Sequence, residues 1–261
     1  MRETLRALGV DYEHNRYDRD QYIDINWRNI KKDFLKYFQK NFKGSTNTYG
    51  INYDYRSIMH FTEDEYGISG RQVIIAKNNF MQSFMGKSEY LTFNDARLIN
   101  ERYCKFPQIH HLHPPCQNFG YLDPRVYTRC KCPPFVNGID CTGLITNNHF
   151  CTVHNRLFAT REKSIAFPRV GGRCTFYIST SFGKKIGIRI AYHNIPPGVP
   201  ICKENQFTEI RYKRDLSVSG VLFCLGHSPR IIVSESNQMV IQTHFPAVQL
   251  NLILEFWRIS H

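Results

Sequence analysis

No stretch of the 261 residues approaches 18 consecutive apolar side chains, so no membrane-spanning helix is expected. No basic opening segment leads into an apolar core, so no signal peptide is visible. No Asn-x-Ser/Thr triplet occurs, so N-glycosylation is not expected. Residues 1–103 contain neither proline nor cysteine. Acidic residues are also short: 22 Asp and Glu face 34 Lys and Arg, a net charge of +12. What is present is ordinary for a folded chain, with 42% hydrophobic and 21% charged residues, which excludes a disordered polymer.

The cysteines are clustered. All nine fall between Cys104 and Cys224. Spaced cysteines in a loop-rich half read as disulfides, which persist in oxidising compartments, so a secreted or extracellular location is expected. With no secretion signal in view, the chain is expected to begin late, from an incomplete N-terminus or as a remnant. An odd count leaves one cysteine over.

The chain changes character twice. Residues 1–104 carry about +2, residues 105–150 about +2 and residues 151–261 about +8. In the first stretch, Met1, Leu5 and Leu8 share a helical face and Gly9 can end that helix. Ile30, Phe34, Leu35 and Phe38 suggest a second amphipathic helix over 29–42. Val73–Ile75 suggests a short strand, and Asp95–Tyr103 a helix starting near Asn94 or Asp95. In 105–150, Pro107, Pro114, Pro115, Pro124, Pro133 and Pro134 leave room for little core, so cross-links must hold the segment. Residues 151–261 alternate with period two. Ile186, Ile188, Ile190 and Tyr192 share one face, as do Leu250, Leu252, Leu254 and Phe256. Further strands are read at Phe207–Tyr212, Val218–Phe223, Arg230–Val233 and Met239–Thr243, which together suggest a β-sandwich.

The opening frame places Arg2-Glu3, Arg6, Gly9 and Tyr12 at the spacing His-Glu-x-x-His-x-x-Gly-x-x-His, which resembles the zinc helix of metzincin peptidases. Histidines at i and i+4 share a helix face, glycine allows a sharp turn, and a third histidine closes the site. The stretch YEHNRYDRDQYIDINWRNI, the Ser57–Phe61 run SIMHF and the run LTFNDARLINERYC are similar to the astacin family: its segment after the zinc helix, its Met-turn and its closing helix. The resemblance implies an α+β fold in which residues 1–104 form the lower half of an astacin catalytic domain. It implies a zinc-dependent peptidase in active members. It assigns Glu3 to the general base, Met59 to the Met-turn, and Arg2, Arg6, Tyr12 and Phe61 to the metal-ligand positions. It assigns Glu13 to the mature N-terminus, and Cys104 to the cysteine that ends the catalytic domain and whose usual partner lies upstream, so Cys104 is expected to be the unpaired one.

None of those four ligand positions holds histidine or, at 61, tyrosine. An arginine has no acceptor and stays protonated. A dication about 4 Å from one guanidinium is repelled by roughly 8 kcal/mol at an effective dielectric near 20. No metal cofactor and no zinc-dependent peptidase activity are therefore expected, and Glu3 is expected to be idle, paired with Arg6. Tyr12 is read as packing or hydrogen bonding, Met59 as core, and Glu13 as paired with Arg16 or solvated. One alternative keeps Arg2 and Arg6 as a cationic pocket for a carboxylate.

The run from Cys116 to Cys141 resembles an EGF-like module, with Tyr127 at the place of a missing cysteine. Four cysteines alone allow three pairings; the resemblance implies Cys116–Cys130 and Cys132–Cys141. Cys151, Cys174, Cys202 and Cys224 resemble those of a CUB domain, implying Cys151–Cys174 and Cys202–Cys224. Domains are thus expected at 1–104, 105–150 and 151–261. Glu209 and Asp215 are candidate calcium ligands, with Gln206 where an acid would help. His110, His111 and His113 read as a linker cluster. The basic last third suggests acidic extracellular proteins or anionic glycans as partners rather than nucleic acid; a solvated basic surface is the plainer reading. The function expected is a degenerate astacin-like interaction protein; the rivals are an astacin-type zinc metalloendopeptidase with an unusual site, and a fragment with no function.

Overall fold

A computed structural model describes residues 1–104, 115–193, 206–245 and 250–259. The expectations for His110, His111, His113 and Cys202 lie outside these residues. The described chain forms two compact units. The first holds residues 1–104 with 124–127; the second holds 115–123 with 128–259.

The first unit has little regular structure. It contains helix α1 (Arg2–Ala7), helix α2 (Phe93–Tyr103), and strands β1 (Ile23–Ile25) and β2 (Ile74–Ala76), paired antiparallel. Short 3-10 turns link them. Helix α2 begins at Phe93, two residues before the expected start. Thr92 is its cap: the Asp95 amide donates to the Thr92 hydroxyl, and the Asp95 carboxylate accepts from the Thr92 amide.

The amphipathic helix expected over 29–42 does not form. The chain there makes two 3-10 segments, Trp27–Asn29 and Lys32–Phe38. The reason is tertiary. Ile30 bridges Gly67, the Lys31 amide donates to the Tyr66 carbonyl at 3.1 Å, and Lys31 is extended. That leaves seven residues, too few for a stable α-helix without packing along their length. Phe34 instead stacks on Tyr66 at 4.3 Å, and Leu35 stays exposed.

The second unit is built from strands. Two small antiparallel pairs come first: β3 (Tyr121–Leu122) with β4 (Cys130–Lys131), and β5 (Val136–Asn137) with β6 (Gly143–Leu144). Then come β7 (Arg156–Phe158), β8 (Ser164–Ala166), β9 (Arg169–Val170), β10 (Arg173–Ser179) and β11 (Lys185–His193). They are followed by β12 (Phe207–Arg211), β13 (Val221–Phe223), β14 (Arg230–Val233), β15 (Gln238–His244) and β16 (Leu250–Ile259). One sheet has the order β13-β12-β15-β10-β7; the other runs β14-β11-β16-β8, with β9 also on β16. All neighbours are antiparallel except β7 with β10. The period of two dictates the burial: Ile186, Ile188 and Ile190 on β11 and Leu252, Leu254 and Phe256 on β16 all face inward. That sheet thus keeps one dry face, whereas β15 at the centre of the other sheet is buried on both faces from Met239 to Thr243.

Disulfides join Cys116 to Cys130, Cys132 to Cys141 and Cys151 to Cys174. Cys224 is also disulfide-bonded. Cys104 is unpaired among the described residues. The proline-rich segment is better packed than its composition suggests. Phe135 and Val136 are buried, together with Cys130 and Cys141, against Leu216 and Val240. Tyr177 completes the joint: its hydroxyl accepts from the Ile145 amide at 2.8 Å and donates to the Phe135 carbonyl. A borrowed apolar surface, as well as cross-links, holds this segment.

Candidate functional site

Helix α1 is short and only Leu5 is buried; it packs with Ile58, Met59 and Ile99. Its end is clamped from α2. Arg102 donates to the Gly9 carbonyl at 2.9 Å, and Tyr103 to the Leu8 carbonyl at 2.6 Å. Gly9 has φ +70°, a left-handed conformation that glycine adopts without strain. The turn through Ser57–Phe61 is fixed from the other end of α2. The Asp95 carboxylate accepts from the Ser57 hydroxyl at 2.6 Å and the Ile58 amide at 3.1 Å. Met59 is 1% exposed beneath α1.

Arg2 joins these parts. Its Nε donates to the Ile58 carbonyl at 2.6 Å, and one Nη donates to the His60 carbonyl at 3.0 Å and the Gly86 carbonyl at 2.9 Å. Arg6 turns the other way. It donates to the Tyr12 hydroxyl at 3.3 Å and sits 5.0 Å from the centre of that ring. Tyr12 packs on Phe61 at 4.6 Å. Glu3 is exposed, and the expected Glu3–Arg6 ion pair is not formed among the described residues. The cationic pocket considered for Arg2 and Arg6 does not form either, because Arg2 spends its donors on backbone carbonyls.

Two imidazoles and a phenol were not singled out from the sequence. His14, His60 and Tyr53 are each 0% exposed. The Tyr53 hydroxyl bonds His60 Nε2 at 2.6 Å, and His60 Nδ1 bonds the Phe61 carbonyl at 2.7 Å. His14 Nε2 bonds the Tyr37 carbonyl at 3.1 Å. Their sole signal was an aromatic-rich neighbourhood, which does not separate a buried imidazole from an exposed one. Burial, with the nearby Arg2 charge, lowers His60 from 6.5 to about 4. Burial and the neighbouring His60 also hold His14 well below its ordinary value.

Glu13 lines a cavity of about 490 Å³, with Asp11, Arg16, Met59, Asp95 and Arg102 around it. Its carboxylate meets Arg16 at 3.0 Å and accepts from the Asp54 amide at 2.8 Å. Arg16 is shared, since Asp18 takes it through two contacts at 2.9 and 2.8 Å. Burial therefore prevails and pushes Glu13 up to about 7.

These groups predict a pH dependence. Between about pH 4 and 6.5 the unfolded chain binds a proton at residue 60 that the folded chain refuses. His60 thus contributes stability that is full above 6.5 and lost as pH falls through that window. Glu13 has the opposite sign: its contribution is present below 4.5 and lost as pH rises through about 7. Replacing His60 by Asn isolates one proton. Plotted against pH from 5 to 6, the unfolding free energy of the first unit should lose about 1.2 kcal/mol per pH unit of slope. An unchanged slope in denaturant titrations would rule out a neutral His60.

Residues 1–104 match the astacin peptidase family. The astacin family is thereby shown for this segment of the chain. Its curated relatives include zinc metalloproteinase nas-34 of Caenorhabditis elegans, 33% identical over 241 residues, covering 92% of this chain and 38% of the relative. Zinc metalloproteinase dpy-31 of the same worm is 31% identical over 253 residues, covering 92% and 42%. The chain therefore spans less than half the length of these relatives. Among solved structures, the hatching enzyme zinc-protease HCE-1 of medaka fish is 35% identical over 40% of this chain and 51% of that one, with a TM-score of 0.37.

The relatives named are zinc metalloproteinases, so the fit of zinc to this astacin segment can be tested on its own residues. The four positions that the resemblance implies for ligands hold two guanidiniums, a phenol and a phenyl ring. Among the described residues, no three His, Cys, Asp or Glu side chains gather as a metal site. His14 and His60 lie 6.1 Å apart, centre to centre; both nitrogens of His60 are hydrogen-bonded, and His14 is bonded through Nε2 and keeps a buried Nδ1 without a partner, so this pair offers a metal one imidazole nitrogen at most. Zinc does not fit the residues present.

The candidate calcium ligands of the second unit are occupied in the same manner. Glu209 accepts from Arg211 at 3.0 Å and from the Gly220 amide at 2.7 Å. Asp215 accepts from the Ser217 amide at 2.9 Å and from its hydroxyl. One Nη of Arg211 meets the carbonyls of Leu216, Ser217 and Val218 at 3.0, 3.2 and 3.0 Å. Gln206 has a buried side-chain oxygen without a partner. Arg211 and the Gly220 amide already take both Glu209 oxygens, and Ser217 takes Asp215 Oδ1.

Proposed function

We propose that this chain is an astacin-like protein without peptidase activity, acting in an extracellular setting as an interaction protein through an EGF-like module and a CUB domain. One observation carries the first half: the Arg2 guanidinium is bound to three backbone carbonyls at the first ligand position of the zinc frame. Without an acidified water, Glu3 has nothing to polarise.

The second half rests on the disulfides and strands of the second unit. The bridges Cys116–Cys130 and Cys132–Cys141 with two small strand pairs support the EGF-like reading; two antiparallel sheets and the Cys151–Cys174 bridge support the CUB reading. Three bridges among the described residues support an oxidising compartment. No described helix is long and apolar enough to cross a membrane. The net charge of +12 supports acidic proteins or anionic glycans as partners.

Purified chain should cleave neither casein nor a quenched peptide library, with or without added zinc. Cleavage that a chelator abolishes and zinc restores would overturn the proposal in favour of an active zinc metalloendopeptidase.

A further inference from the structure

The solvent face of the sheet β14-β11-β16-β8 carries an unusual edge. Trp257 on β16 is paired with Gly187 on β11. A Cβ at 187 would come within 2.4 Å of the indole, so the ring lies directly on the β11 backbone. The Lys163 ammonium stands 5.0 Å from the centre of that ring. Lys163 just precedes β8, whose Ser164 pairs with Phe256, so the cation sits one strand over.

More positive charge converges here. The Arg258 amide donates to the Thr160 carbonyl at 2.6 Å, and its guanidinium to the Ser181 hydroxyl at 3.3 Å. Arg258 is thereby tied to two turns, one bearing Arg161 and Lys163, the other Lys184 and Lys185. Only Glu162 opposes the four cations of these two turns, and none of the four forms an ion pair among the described residues; Arg258, adjacent to Trp257 on the strand and with a buried Nε, points to the other face and serves to hold the turns. The tip of the second turn is Phe182, 94% exposed. In the next row along the strands, Arg189 is already paired with Glu255 at 2.8 Å.

Unpaired cations on an open face, rather than in a cavity, suit a linear polyanion more than a small anion. Aromatic surfaces beside them offer apolar contact for the C–H faces of sugars, which a purely acidic peptide lacks. We infer that this edge, formed by Arg161, Lys163, Lys184 and Lys185 around Trp257 and Phe182, binds a sulfated polysaccharide. The inference rests on the reading of this unit as a module for anionic extracellular partners, and it assigns that role to one edge and one polymer class.

The test uses the full chain on immobilised heparin, with poly-glutamate and phosphatidylserine vesicles as alternative ligands. Lys163→Glu with Lys185→Glu should weaken heparin binding at least 10-fold and lower the salt needed for elution. Arg169→Glu with Arg173→Glu, the same charge change at the opposite ends of β16 and β10, should change it less than 3-fold. Phe182→Ala should weaken heparin binding a few-fold. Lys163→Ala with Lys185→Ala is the milder variant should the double reversal unfold. Equal losses in the two charge-reversed pairs would overturn the localised site. Tight binding to poly-glutamate without heparin binding would overturn the polysaccharide but leave the anionic-partner reading standing. Preferential vesicle binding would replace the polysaccharide with a lipid surface. Binding to none of the three would sink both.

Discussion

Arg211→Ala should destabilise the second unit by about 3–5 kcal/mol, the range for removing one partner of a buried ion pair. Both partners are 5% exposed. Loss of the guanidinium leaves the Glu209 carboxylate without its cation and strips a donor from three carbonyls in a row. An unpaired buried charge and unmet carbonyls are costly because no water replaces the lost partner. The guanidinium also stands 5.7 Å from the centre of the Phe135 ring, so its loss should loosen the disulfide-held segment too. Equilibrium denaturation read by intrinsic fluorescence checks the magnitude. Amide exchange at Val136 and Leu144 checks the spread. Arg211→Met combined with Glu209→Gln should recover much of the loss, since the charge and its partner leave together. A single-variant cost under 1 kcal/mol would show that Arg211 is not what holds the Leu216–Val218 carbonyls.

The same residues show where sequence reading works and where it stops. Period-two alternation marked the inward faces of β11 and β16 because a strand's side chains follow chain geometry alone. Arg230–Val233 was legible end to end for the same reason. The stretch around Phe34 was not, because its backbone is decided by Gly67 and Tyr66, more than thirty residues away. The packing of the proline-rich segment was not legible either: it has little core of its own, but the apolar surface that covers Phe135 comes from Leu216 and Val240. At the zinc frame, residue types alone exposed the misfit, since no rotamer gives arginine an acceptor. They did not reveal what arginine does instead. Its donors satisfy carbonyls on segments 56 and 84 residues downstream, and such distances leave no local pattern.

That role makes Arg2 the second large effect. Arg2→Ala should cost the first unit about 2–3 kcal/mol, from three hydrogen bonds made by a charged donor at roughly 1 kcal/mol each. Arg2→Lys should recover only part of it. A lysine ammonium lacks the planar fork that reaches Ile58, His60 and Gly86 together. The natural chain should also be indifferent to metal. A ligand at 100 times its dissociation constant raises stability by about 2.7 kcal/mol, so a genuine zinc site would shift the melting temperature by several degrees. Melting curves with zinc or with a chelator should superimpose, and the Arg2→Ala curve should sit below both. A rise with zinc that a chelator reverses would place a metal in this cleft. In that outcome the Arg2 fork would have to let go of its carbonyls, and Arg2→Ala would then strengthen zinc binding instead of leaving it absent.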